Sequence, residues 1–262
     1  MTTPSLMQTI LGPGGLSARF QPIVDLDEVG APSLHAAECL TRGPRGTNVE
    51  DALVLFEYVR RKREEGSVDR ACVTGGLEAG RCLAGAPILS LNVHAVTLCL
   101  DQGFADFLDQ EADRCEIELD RLTIELVGSP PNWSHPGITS ALEGLRHRGV
   151  RIALDDVGLG TANCHAILEC RPDFFKLDRY FVHGVHNDFA RQAVVEAVTM
   201  LAADLEAQVV AEGLEEPADL EFLRGLGIRL AQGHLFSPAV PAAEWANVTA
   251  SFCRHEGRRS DA

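Results

Sequence analysis

The chain has 262 residues, 45% of them apolar, and a formal charge of −15 from 38 acidic against 23 basic side chains. That length suits one barrel of roughly 250 residues without a second domain, and so acidic a chain lacks the electrostatic footprint for duplex DNA or an anionic membrane surface. Met1–Gly15 has neither the basic start nor the apolar core of a signal peptide, and no run of about 18 apolar residues would span a membrane, so a cytoplasmic protein is expected.

Residues 1–16, rich in Gly, Pro and Ser, read as a flexible leader. Phe20–Leu26 is a predicted first strand, with Pro22 placing it at an edge or rim. A second strand follows at Leu34–Leu40, then a turn at Pro44–Thr47 and predicted helices over Val49–Arg63 and Val68–Leu83. From there the alternation is regular. Strands are predicted at Ile88–Val93, Leu122–Leu126, Val150–Leu154, Phe174–Leu177, Gln208–Ala211 and Ile228–Ala231. Helices lie between them at Phe104–Gln110, Ile138–His147, Ala162–Glu169, Asp188–Asp204 and Pro217–Leu226. Strand–helix alternation implies a parallel sheet, and about eight strands favour a closed (β/α)8 barrel over an open one. The expected organisation is a leader over 1–16, a single barrel over 17–250 and a polar tail over 251–262. No Gly-x-Gly-x-x-Gly follows a strand and no P-loop occurs. The eight cysteines are dispersed without a Cys-x-x-Cys pair and read as buried thiols of a reducing compartment.

Seven polar positions fall where these strands end: Glu38, Asn92, Glu125, Asp155 with Asp156, Lys176, Glu212 and Gln232. Taken singly, each has a plainer reading. Asp155 suits an N-cap with Asp156 in solvent, Asn92 a turn cap, Glu125 an ion pair with an arginine, and Lys176 a snorkelling side chain. Glu215 reads as support or as a helix N-terminal charge. Together, on the C-terminal rim of one barrel, carboxylates, an amide and a lysine point to a hard divalent metal with phosphate chemistry above it. No Ser/His/Asp triad is evident, and His165 and His234 lack metal-ligand spacing.

The same residues carry a resemblance. Glu38-Cys39-Leu40-Thr41-Arg42 resembles the Glu-Ala-Leu-x-Arg motif of the EAL domain family of cyclic di-GMP phosphodiesterases. Gln21-Pro22-Ile23-Val24, Asn92, Glu125, Asp155-Asp156, Lys176-Leu177-Asp178, Ala211–Glu215 and Gln232–Phe236 fall in that family's order and at similar spacing, over about residues 18 to 241. The resemblance implies a modified (β/α)8 TIM barrel with an antiparallel first strand, binding two Mg²⁺ or Mn²⁺ ions and hydrolysing cyclic di-GMP to linear pGpG. By it, Glu38, Asn92, Glu125 and Asp155 would be metal ligands, with Asp156 and Glu212 also reaching the metals. Glu38, Asp156, Lys176 and Glu212 form the catalytic set, Lys176 holding the attacking water. Gln232 and Glu215 would support the site and the substrate, Arg42 would grip a phosphate, and Gln21, Leu40, Asp178 and Phe236 would line the guanine pockets.

Departures from the family pattern cluster in one unit. The loop after Asp156 reads Val157-Gly158-Leu159-Gly160-Thr161-Ala162-Asn163, without the family's aromatic and hydroxyl groups. Gly128 stands where a second glutamate usually anchors that loop. Gly43 replaces an aromatic beside Arg42, and Ala239 a frequent proline. The loop changes lead to an expectation of low basal turnover, relieved by restoring Gly128→Glu together with Leu159→Thr. They also favour the alternative of a non-enzymatic EAL module that binds cyclic di-GMP or a protein partner, and they bear on second-metal binding and on a homodimer or regulatory partner; separately, the guanine-pocket matches leave open a phosphodiesterase for another cyclic dinucleotide. No sensor, receiver or cyclase domain is read ahead of the barrel.

Overall fold

A computed structural model describes residues 4–26, 32–130, 132–158 and 164–256, with side chains described as far as Phe252. Eight strands close into a barrel in chain order. They are β1 (Ser17–Asp25), β2 (Ser33–Arg42), β3 (Ile88–His94), β4 (Leu122–Val127), β5 (Arg151–Val157), β6 (Phe174–Leu177), β7 (Gln208–Ala211) and β8 (Leu230–Ala231). β1 runs antiparallel to both its neighbours, β2 and β8, and every other pairing is parallel. The fold class is the expected one, antiparallel first strand included.

The helices are α1 (Leu6–Leu11), α2 (Ala52–Lys62), α3 (Glu65–Gly80), α4 (Ala95–Leu100), α5 (Phe104–Cys115), α6 (Pro136–His147), α7 (Cys164–Cys170), α8 (Arg179–Val182), α9 (Phe189–Asp204), α10 (Pro217–Gly225) and α11 (Trp245–Glu256). Their apolar faces bury the outward sides of the strands, where Leu89, Leu91 and Val93 of β3, Ile124 and Leu126 of β4, and Phe175 and Leu177 of β6 join one large core. Side chains on a strand alternate between faces, so the intervening residues fill the lumen. There Ile23, Ala36, Ala153, Phe174, Val210 and Leu230 form a second, smaller cluster. Among the described residues, no helix is long and apolar enough to cross a membrane.

Pro22 sits inside a closed barrel rather than on an open edge, and it costs the ladder nothing visible. β1 bonds to one side through Phe20 with Val240 and through Leu26 with Arg229, and Pro22 falls between these two stretches. The expected loose leader is ordered from Ser5 onward. The Ser5 hydroxyl accepts from Gln8 N while Ser5 N donates to the Gln8 side chain, a reciprocal cap that starts α1. Ile10, 1% exposed, then packs with Val49, Leu55, Val59 and Val68. The supposed tail begins inside α11, which runs to Glu256, and residues 257–262 lie outside those described. Cys82 and Cys164 are exposed rather than buried, while Cys39, Cys99, Cys115 and Cys170 are buried thiols as expected.

Trp245 joins α11 to the barrel. It is fully buried, meets Phe20 edge-on at 6.3 Å between ring centroids, and donates its indole N–H to Ala84 O at 3.2 Å. Trp245→Ala should therefore destabilise the fold by about 3–5 kcal/mol, read from the denaturant midpoint at unchanged slope; a loss below about 1 kcal/mol would show that the packing matters little.

Candidate active site

The strand period builds the site. Each candidate stands two residues beyond a lumen position: Ser90 and Asn92, Thr123 and Glu125, Ala153 and Asp155, Phe174 and Lys176. Ala36 and Glu38, Val210 and Glu212, and Leu230 and Gln232 follow the same rule. In antiparallel β1 the order reverses, so Gln21 precedes Ile23 and lies opposite Glu38. All eight side chains thus share one layer above the apolar lumen. Several are inside their strands rather than at the ends, since β2 continues to Arg42 and β3 to His94.

Asp155 and Asp156 owe their shared position to a bulge. Leu154 pairs with Phe175 and Val157 with Leu177, so both aspartates oppose the single residue Lys176. The extra residue re-aims the chain beside the site, and Asp156 takes a left-handed φ of 54°, uncommon for a non-glycine residue. Its own N–H donates to Asp155 Oδ1 at 2.9 Å.

Lys176 is the hub. Its ammonium, 2% exposed, lies 2.5 Å from Glu125 Oε2, 2.7 Å from Glu212 Oε1 and 3.4 Å from Glu38 Oε2. Glu38 also accepts from Asn92 Nδ2 at 3.0 Å and from Gln232 Nε2 at 2.6 Å, and Gln232 Nε2 bonds to Gln21 Oε1 at 2.9 Å. Burial alone would push the Glu38 carboxyl up, but Lys176 and the two amides hold it below the ordinary range. Burial and the Glu38 charge push Glu125 up to about 8. Burial also raises Asp155, raises Glu212 well above a normal glutamate, and with Asp155 and Asp178 nearby raises Asp156 to about 6. Burial opposes the charge on Lys176, yet Glu125, Glu212, Glu38 and Asp155 together drive its pKa well above that of a free lysine. One cation in contact with three carboxylates thus serves a cluster of five, and the raised pKa values show how unfavourable their joint ionisation is without a further cation.

The donor set fits a divalent metal. Glu125 Oε1 is buried without a hydrogen-bond partner. Asn92 turns its Nδ2 to Glu38, leaving its oxygen as the available ligand atom. Glu38, Asn92, Glu125 and Asp155, with Asp156 and Glu212 beside them, offer oxygens only, the chemistry of Mg²⁺ or Mn²⁺ rather than of a thiolate or imidazole metal.

Two cavities of about 280 and 270 Å³ meet at this cluster and share Glu38, Leu40 and Asp155. The first runs toward α2 and α3, walled by Phe56, Cys72, Val127 and His94. The second is the polar mouth, lined by Gln21, Lys176, Glu212, Glu215 and Gln232. Other expected contacts are placed elsewhere. Arg42 pairs with Asp51 at 3.5 Å and lines neither cavity. Asp178 caps α8 by accepting from Tyr180 N at 2.7 Å, and Phe236 packs half-buried against the outer core. Gly128 has φ of 69°, a conformation that penalises any glutamate placed there, and Leu159 of the proposed double restoration lies outside the described residues, as does most of the 157–163 loop.

Three residues at the site escaped the sequence reading. Asp69 of α3 is 1% exposed; it accepts from His94 N at 2.9 Å and Thr97 Oγ1 at 2.5 Å and meets the His94 ring at 2.8 Å, fixing the start of α4. An aspartate between Val68 and an apolar helical face was the available signal. His94 itself, two residues past Asn92, was another. Arg179, directly after Asp178, lines the mouth. A separate His186–Glu216–Asp219 group has metal-like proximity, but Asp219 already accepts from Gly184 N, His186 N and the His186 ring at 2.9, 3.1 and 2.6 Å and serves as a loop clamp.

The model of the EAL domain matches residues 5–239. The chain belongs to the EAL domain family. Among curated relatives, the blue light- and temperature-regulated antirepressor BluF of Escherichia coli is 27% identical over 62% of this chain and 41% of its own. The cyclic di-GMP phosphodiesterase PdeR of Escherichia coli is 30% identical over 59% of this chain and 23% of its own. The chain therefore spans less than half the length of these relatives. Among solved structures, the calcium and cyclic di-GMP complex of Klebsiella pneumoniae BlrP1 superposes with a TM-score of 0.77 at 24% identity, covering 92% of this chain and 59% of that one. That likeness carries the EAL fold.

If Lys176 is the counter-ion of this rim, Lys176→Met should lower stability by about 3–5 kcal/mol in chelator, and Mn²⁺ should return more of the melting temperature to the variant than it adds to the wild type. A variant as stable as wild type in chelator would remove Lys176 from that role.

Proposed function

We propose that the chain is a cyclic di-GMP phosphodiesterase that opens its substrate to linear pGpG with two Mg²⁺ or Mn²⁺ ions. The observation that carries this reading is the oxygen-only cluster around Lys176 with the unpartnered buried Glu125 Oε1, in a chain of the EAL family. PdeR, named for this activity, supports it, as does the calcium and cyclic di-GMP complex of BlrP1. A reducing, cytoplasmic setting suits the free thiols.

In this reading Glu38, Asn92, Glu125 and Asp155 would hold the first ion, Asp156 and Glu212 would also reach the metals, and Asp156 would lie toward the second. Bound divalent ions supply Lewis acidity at the phosphoryl oxygens and make a nearby water more acidic. Lys176 has three N–H donors; its Nζ lies 2.5 and 2.7 Å from Glu125 and Glu212, which engage two of them, and 3.4 Å from Glu38, a looser contact for the third. That third donor is the one available to orient the attacking water. The water oxygen bonds to phosphorus as the P–O3′ bond breaks; the water gives up one proton to the carboxylate cluster and the leaving 3′-oxygen takes one up to become a hydroxyl, so the proton count is unchanged. Gln232 and Gln21 keep Glu38 oriented through the 2.6 and 2.9 Å amide contacts.

Lys176→Ala should accordingly lower kcat far more than it changes the Kd for cyclic di-GMP, because an oriented water matters in the transition state. A collapse of affinity with kcat intact would make Lys176 a binding group. A second reading rests on Gly128 in place of an anchoring carboxylate and on the antirepressor BluF among the relatives: an EAL module that binds cyclic di-GMP and signals without cleaving it. One experiment separates the two. Purified protein is incubated with cyclic di-GMP in Mn²⁺ and in chelator, and the nucleotides are chromatographed. Metal-dependent pGpG is expected from the wild type and none from Glu38→Ala; binding without any product would favour the receptor.

A further inference from the structure

The mouth cavity carries a cation that the cluster does not consume. Lys176 faces three carboxylates, whereas Arg179, which lines the same cavity, has one partner at salt-bridge distance among the described residues, Glu215 Oε1 at 3.0 Å. Its side chain is 57% exposed and borders the open mouth. A second, independent feature fixes its path. Gly213 follows Glu212 with φ of 66°, and a Cβ there would fall 2.4 Å from Arg179 Cγ and 2.5 Å from its Cβ. The arginine stem is therefore laid across a backbone that only glycine leaves bare.

We infer that Arg179 is a substrate-binding residue that takes the phosphate of the cyclic dinucleotide that is not being cleaved; this rests on the phosphodiesterase reading above. A cyclic dinucleotide has two phosphates. The cluster at Glu38, Asn92, Glu125 and Asp155 is built for one of them. The other must sit over a rim of carboxylates in a chain of charge −15, which repels it unless a fixed cation stands close. A guanidinium matches a phosphate with two parallel N–H donors, which an ammonium does not. Arg42, expected to grip a phosphate of the substrate, pairs with Asp51 and lines neither cavity. Glu215 holds Arg179 over the mouth, where an incoming phosphate replaces or joins the carboxylate.

The test compares wild type, Arg179→Ala and Arg179→Lys, measuring the Kd for cyclic di-GMP in Ca²⁺ and kcat and KM in Mn²⁺. Arg179→Ala should weaken binding and raise KM roughly tenfold or more, leave kcat within about twofold, and flatten the salt dependence of Kd. Arg179→Lys should recover only part of the loss, since it restores charge without the fork. An alanine variant with unchanged Kd and KM, in a background where the wild type binds and cleaves, overturns the inference and leaves Arg179 as a partner of Glu215 alone. A fall in kcat at constant Kd also overturns it. A wild type that neither binds nor cleaves cyclic di-GMP sinks the phosphodiesterase reading, and with it this role for Arg179. Unchanged melting temperatures for both variants exclude a folding defect at this exposed position.

Discussion

A single buried ammonium, Lys176, within 3.4 Å of Glu125, Glu212 and Glu38 is the contact on which the rest of the site depends. It stands above a lumen filled by Ile23, Ala36, Ala153, Phe174, Val210 and Leu230, where a lone charge would be very costly. The lysine makes the ring of carboxylates tolerable but does not neutralise it. Glu125 and Asp156 hold protons more tightly than free acids do, and Glu125 Oε1 has no partner. The fold keeps that imbalance because closure fixes where each inward side chain ends up. A barrel built to bind further cations has this form, and binding them would release the held protons.

Closure also explains why the site is spread so thinly along the chain. Each of eight strands contributes one inward residue to the same layer, from Gln21 on β1 to Gln232 just past β8. Two local devices refine that layer. The antiparallel β1 brings Gln21 opposite Glu38, so the amide relay Gln21–Gln232–Glu38 closes the ring. The bulge in β5 puts two carboxylates opposite Lys176 where a regular strand would offer one. The second device carries backbone strain at Asp156, which is where strain is expected if the site uses it.

Much of this was legible in the sequence, because the physics behind it is short-range. Apolar runs of four to six residues with a polar residue at a fixed offset identified the strands and the rim together; Phe174–Leu177 and Gln208–Ala211 are read to the residue. Less visible were features set by tertiary contact. The bulge leaves no mark beyond two adjacent aspartates, which read equally well as a strand end. Arg42 was expected to grip a phosphate because its order in the chain is right; its pairing with Asp51 at the N-terminus of α2 depends on a tertiary contact that the order does not show. Asp69 was hidden in a helix, its purpose appearing only once α3 packs beside the start of α4. The leader was misread because its Gly and Pro outweighed a capping signature, Ser5 with Gln8, that precedes an apolar turn.

The same cluster accounts for fold, charge and proposed chemistry, so the location of the metal is the central claim. The most direct measurement is anomalous diffraction at the manganese edge from crystals grown with Mn²⁺. The account predicts one peak within bonding distance of Glu125 Oε1, among Glu38, Asn92 and Asp155, and a second toward Asp156. Manganese absent from this layer at saturating concentration, with Glu125 still bonded only to Lys176, would contradict it.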